Sequence, residues 1–135
     1  MRAVDPAELG WLHDAACPSI TIETAEGVRT LRLVVDVHPD AGNPALDGKR
    51  LAFVARDVLA LELRTYNIAG IQEINSFRLQ ASPSEMFRKN RELAKLPVDV
   101  PEYQIWFSSG EHLGFICREL LVDELLAAVH VGTSS

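Results

Sequence analysis

The chain has 135 residues, with 13 Lys and Arg against 19 Asp and Glu, for a formal net charge of −6. Apolar residues make up 47% and charged residues 24%, which excludes low-complexity disorder, since a disordered chain has fewer apolar groups and more net charge. A single domain over residues 1–135 is expected, able to bury a core without a disulfide or metal staple. No run of ~18 apolar residues exists to span a membrane. Acids occupy the N-terminus where a signal peptide has a basic and then an apolar stretch, so a cytoplasmic protein is expected.

Asp5-Pro6-Ala7-Glu8 opens the chain's first helix, with an N-cap acid, a proline at the first helical position and a glutamate at the third. That short helix carries Leu9 and Leu12. Ile20 and Ile22 then alternate with polar residues, and Ala25-Glu26-Gly27 reads as a hairpin turn. Leu31, Leu33, Val35 and Val37 point one way along the next strand. Residues 38–50 hold two prolines and two glycines and read as a loop. Leu51 and Phe53 open a further strand, Arg56-Asp57 bulges or turns it, and Leu59, Leu61 and Leu63 continue the alternation.

Phe77, Leu79 and Ala81 mark another strand. Ser82-Pro83-Ser84-Glu85 repeats the helix-start punctuation, and Pro97 stops the helix that follows near Leu96. In that helix Met86, Phe87, Leu93 and Ala94 share the apolar face, leaving Arg88, Lys89, Arg91 and Lys95 largely off it. Tyr103, Ile105 and Phe107, the turn Ser108-Ser109-Gly110-Glu111, and Leu113, Phe115 and Cys117 form a hairpin. Residues 118–131 read equally as a helix or as a continued strand. Short turns rather than crossover helices join consecutive strands, which favours antiparallel pairing. The predicted fold class is α+β: a mainly antiparallel sheet of about six to seven strands with one amphipathic helix packed on it.

Motifs for chemistry are sparse. Cys17 and Cys117 lie too far apart for zinc or thioredoxin spacing and read as buried hydrophobes. Asp36-Val37-His38-Pro39-Asp40 is the best local metal candidate, with His13-Asp14 as a second pair, but polar residues are expected at a strand end entering a loop. No HExxH, HxH or CxxC supports a metal. The glycines form no phosphate cradle, and no GxSxG or SxxK offers an activated serine. Neither a metal nor a cofactor is expected, nor catalysis. The basic face at 84–96 lacks aromatics and sits in an acidic chain, so nucleic acid is not an expected partner. Acids dominate residues 3–28 and 97–135, which favours a basic protein partner over nucleic acid or an anionic membrane.

Three stretches carry a more specific signal. Gly10-Trp11-Leu12-His13-Asp14-Ala15 precedes the first long strand, and Leu61-Glu62-Leu63-Arg64-Thr65-Tyr66-Asn67 ends a later one. Tyr103-Gln104-Ile105-Trp106-Phe107 then leads to Leu113-Gly114-Phe115-Ile116-Cys117. In this order they resemble the immunity protein 50 family, small bacterial proteins found beside polymorphic toxins. Ala69-Gly70-Ile71-Gln72-Glu73 stands where that family tends to place Gln-Asn, and the 84–96 helix looks like an insertion. The resemblance implies a non-catalytic protein that occludes a cognate toxin. Contact residues chosen by expected exposure and charge are Asp40, Asp47, Glu111, Asp123 and Glu124. The competing reading is a small ligand-binding or hydrolytic domain with a pocket near His13, Asp36 and His38. A third is an accessory domain that oligomerises through a sheet face or edge.

Overall fold

The computed structural model describes residues 1–64, 72–97 and 99–125. Seven strands form one antiparallel sheet: β1 Arg2–Ala3, β2 Ala16–Ala25, β3 Val28–Asp36, β4 Arg50–Arg64, β5 Gln72–Leu79, β6 Glu102–Phe107 and β7 His112–Leu125. Each of the six strands β2–β3–β4–β7–β6–β5 pairs with the next, and β5 returns to β2 through Ala16↔Glu73 and Cys17↔Gln72. The sheet therefore closes on itself as a barrel. At 14 residues β7 serves two neighbours along one edge, β6 at 112–116 and β1 at 121–122. The ambiguity at 118–131 resolves as strand through Leu125; the remainder lies outside the described residues, as do residues 65–67 of the 61–67 strand end and residues 68–71 after it.

Inward-pointing residues fill the barrel. Leu31, Leu33, Val35, Leu51, Phe53, Phe77, Tyr103, Ile105, Phe107, Leu113 and Phe115 belong to one buried cluster. The 3₁₀ helix Pro6–Leu12 adds Leu9 and Leu12 to it, anchored by the capping box of Asp5 and Glu8. Breaks in the period of two coincide with bulges. Ile74 and Phe77 are both buried although three apart, because the register shifts between Ile74 and Ser76. Ala55 and Val58 are likewise both inward, with Asp57 at φ 55° and paired to Arg118 at 2.9 Å. A further shift between Val58 and Ala60 turns Leu59 and Ala60 to the outer face, correcting the single alternation expected for Leu59, Leu61 and Leu63. Glu26 and Gly27, both at positive φ, make the tight β2–β3 turn. Ile22, opposite Leu31 on that hairpin, stays exposed.

A second layer covers part of the outside. After β5 the chain passes through a 3₁₀ turn, Glu85–Phe87, into α1, Arg88–Ala94, and returns to β6. Phe87 and Val100 pack on Ala60 and Ile116, joined by Leu59, Met86 and Leu96. The apolar face expected of this helix is corrected here. Leu93 is 83% exposed and α1 buries no residue fully. The 3₁₀ turn places Phe87 inward ahead of the helix, Lys95 ends α1 in the left-handed conformation after two turns, and the inward position is taken by Arg91.

Candidate functional site

The strand period that sends Tyr103, Ile105 and Phe107 into the barrel sends Gln104 and Trp106 outward. There they pair with Gly114 and His112 of β7 on one side and Arg78 and Ser76 of β5 on the other. Beneath the 80–101 segment this outer face is buried and polar. Glu102, only 2% exposed, receives the Ser84 amide at 3.2 Å, the Gln104 side-chain amide and the Arg91 guanidinium at 3.5 Å. Arg91 also donates to the Val100 carbonyl at 3.3 Å. This network ties the segment to the sheet.

Beside it the hydrogen bonding is incomplete. Gln104 Oε1, Ser84 Oγ and both ring nitrogens of His112 are buried without a hydrogen-bond partner among the described residues. His112 stacks under Trp106 at a ring separation of 3.9 Å and 16° between planes. The indole remains 41% exposed. Gly114 leaves room here: a Cβ would lie 3.0 Å from both Gln104 Oε1 and Met86 Sδ, and those side-chain ends would have to give way. A cavity of about 200 Å³ opens among Arg78, Gln80, Ser84, Met86, Gln104, Trp106 and His112. Arg78 at its mouth has no ion-pair partner among the described residues.

Burial, then the nearby Arg64, lowers the His112 pKa below the ordinary 6.5. Its linkage to stability has a definite sign. As pH falls through 6.5 the unfolded chain takes up a proton at this residue before the folded chain does, so folding weakens until the folded pKa is passed. Urea denaturation between about pH 7 and pH 5 should show this loss, and His112→Gln should flatten the slope. An unchanged slope would mean that the imidazole is solvated.

The sequence-predicted residues fare differently. Asp40 is exposed, and its amide bonds His38 Nδ1 at 2.9 Å. Asp47 is half-buried, its carboxylate accepting the Gly42 and Asn43 amides at 3.2 and 3.1 Å. Glu124 is exposed and pairs with Lys49 at 3.0 Å, while Asp123 lies 3.8 Å from the N-terminal amine. The expected exposure of Glu111 is corrected: it is 2% exposed, with one oxygen taking the Ser109 hydroxyl at 2.9 Å. Its turn folds back on β5, where the Ser108 amide bonds the Glu73 carbonyl at 2.8 Å.

No hydrogen bond or ion pair joins His13, Asp36 and His38. His13 contacts the Gly10 carbonyl at 3.2 Å, and Asp36 holds Arg50 through two bonds of 2.6 and 2.8 Å. No group of three His, Cys, Asp or Glu converges among the described residues. Burial raises the Cys17 and Cys117 thiols to about 11 and about 12, the reverse of nucleophile activation. Both should resist a disulfide reagent in the native state and react together on unfolding. Reaction of either at its full rate in the folded protein would contradict their burial.

The 102–112 cluster was missed because each polar residue sits in an ordinary alternating strand. Only the pairing of Gln104 with Gly114 and of Trp106 with His112 brings them together. No helix among the described residues is long and apolar enough to cross a membrane. No family model matches the chain, and no curated protein or solved structure matches it significantly.

Proposed function

We propose that this chain is a non-catalytic binding protein that neutralises a cognate toxin domain in the cytoplasm of the producing cell, as its resemblance to immunity protein 50 implies. The observation that carries the binding role is Trp106. It is a half-exposed indole seated on a buried imidazole, next to the unpaired Arg78 and a cavity. Tight interfaces are anchored by Trp, Tyr and Arg set in well-packed surroundings, with the other contacts supplying complementarity. This face, more than the acids, fits that description, because Asp123 and Glu124 already have cationic neighbours within the chain.

The toxin's own contact face is basic in this reading. The net charge of −6 speeds encounter with such a face. Raising salt to about 0.5 M should then slow association far more than dissociation, since exposed charges are screened and the buried interface is not. Charge reversal at Asp40 and Glu124 should act in the same direction. The direct test is calorimetry against the toxin domain encoded by the adjacent gene, with rescue of cells expressing it. Binding near nanomolar supports the proposal, and no binding at about 10 μM overturns it.

A further inference from the structure

We infer that the cavity bounded by Arg78, Ser84, Gln104, Trp106 and His112 is a socket for a planar primary carboxamide, either a free small amide or an Asn or Gln side chain of a protein partner. The inference rests on this face being the binding surface and not on the partner being a toxin.

The hydrogen-bonding inventory sets the ligand chemistry. Gln104 commits its amide N–H to Glu102, so its free Oε1 is an acceptor that needs a donor. Neutral His112 has one N–H donor and one acceptor, both unpartnered, and the Ser84 hydroxyl has no partner either. Arg78 adds donors at the mouth and has no ion-pair partner among the described residues. Such a lining asks for a ligand with a donor and an acceptor on neighbouring atoms. A carboxylate satisfies Arg78 but faces Gln104 Oε1 with another acceptor. An amidinium satisfies Gln104 but sets a cation against Arg78. A carboxamide meets both.

Size and cover agree with this reading. About 200 Å³ holds a small planar group. The unpartnered atoms are sealed by Trp106 stacked on His112 and by Met86 against Gln104 and Gly114. Leaving such groups unpaired is costly. A ligand that displaces the flexible Met86 side chain and completes these bonds removes that cost.

Three probes of one shape separate the possibilities: benzamide, benzoate and benzamidine, titrated separately up to about 10 mM while the Trp106 indole and His112 ring proton resonances are followed. Benzamide should shift both sets of resonances and bind at least about fivefold more tightly than either analogue, with Gln104→Met abolishing the preference. Micromolar affinity marks a free small amide as the ligand, and millimolar affinity marks an anchor for a partner's Asn or Gln; either supports the inference. Benzoate or benzamidine binding as well as benzamide, or no shift at these residues with any probe, overturns it. Calorimetry with the toxin domain is independent of this outcome, so failure of the socket and failure of the toxin reading remain distinguishable.

Discussion

Replacing Glu102 by leucine should destabilise the fold by about 3–5 kcal/mol, because it strands a largely buried guanidinium without its carboxylate. The Arg91 side chain is 11% exposed and that of Glu102 1%. The longer Arg91 bonds, 3.3 to 3.5 Å, leave Nε with no partner. The remaining protein ligands of Arg91 are carbonyls of Pro97 and Val100 on the same covering segment. Without the carboxylate, nothing charged holds that segment to the sheet at this point. Arg91→Met combined with Glu102→Leu should recover part of the loss, since the stranded charge is gone. Recovery should be incomplete because the Ser84 and Gln104 N–H groups still lack their acceptor. Urea midpoints for the two singles and the double measure this coupling. A single leucine variant within about 1 kcal/mol of wild type would mean that the pair is solvated and weak.

Phe77→Ala should cost a comparable amount, about 3–5 kcal/mol, by opening a cavity where β5 joins the rest of the barrel. Its ring lies 5.5 Å from Phe53 on β4, 6.4 Å from Tyr103 on β6 and 6.5 Å from Phe115 on β7. The side chain thus links three strands besides its own, and among the described residues β5 meets β2 through two residue pairs. The urea midpoint should fall with little change in slope, and Phe77→Leu should lose much less. Equal losses for alanine and leucine would place the cost in aromatic geometry rather than in lost volume.

Much of the fold was legible in the residues. The alternation of Leu31, Leu33 and Val35, and of Tyr103, Ile105 and Phe107, identifies strand faces that are indeed inward. Asp5-Pro6-Ala7-Glu8 identifies a helix start that the capping box confirms. Closure of the sheet was not legible, because β2–β5 pairing joins residues more than fifty positions apart. The positive-φ Asp57 and the register shifts at 58–60 and at 74–76 disturb side-chain parity, and local period alone cannot carry across such a disturbance. The outer helix misled for a different reason. Met86, Phe87, Leu93 and Ala94 fit one helical face only if the helix is continuous, and the 3₁₀ turn breaks it at Phe87.

The site was the least legible part. Acid count drew attention to Glu111, which the hairpin turn buries, and to Asp123 and Glu124, which have partners in the chain. Trp106 was quoted for its place in a motif. Its exposure above His112 is a property of the β6–β7 register.

The proposal that the Trp106 face grips a cognate toxin domain stands or falls on calorimetry of wild type and Trp106→Ala against such a domain. The variant must first show an unchanged urea midpoint. Binding of wild type, with a loss of at least about 30-fold in the alanine variant, is the predicted result, corresponding to about 2 kcal/mol for an interface anchor. A folded Trp106→Ala protein that binds within about twofold of wild type would contradict the account.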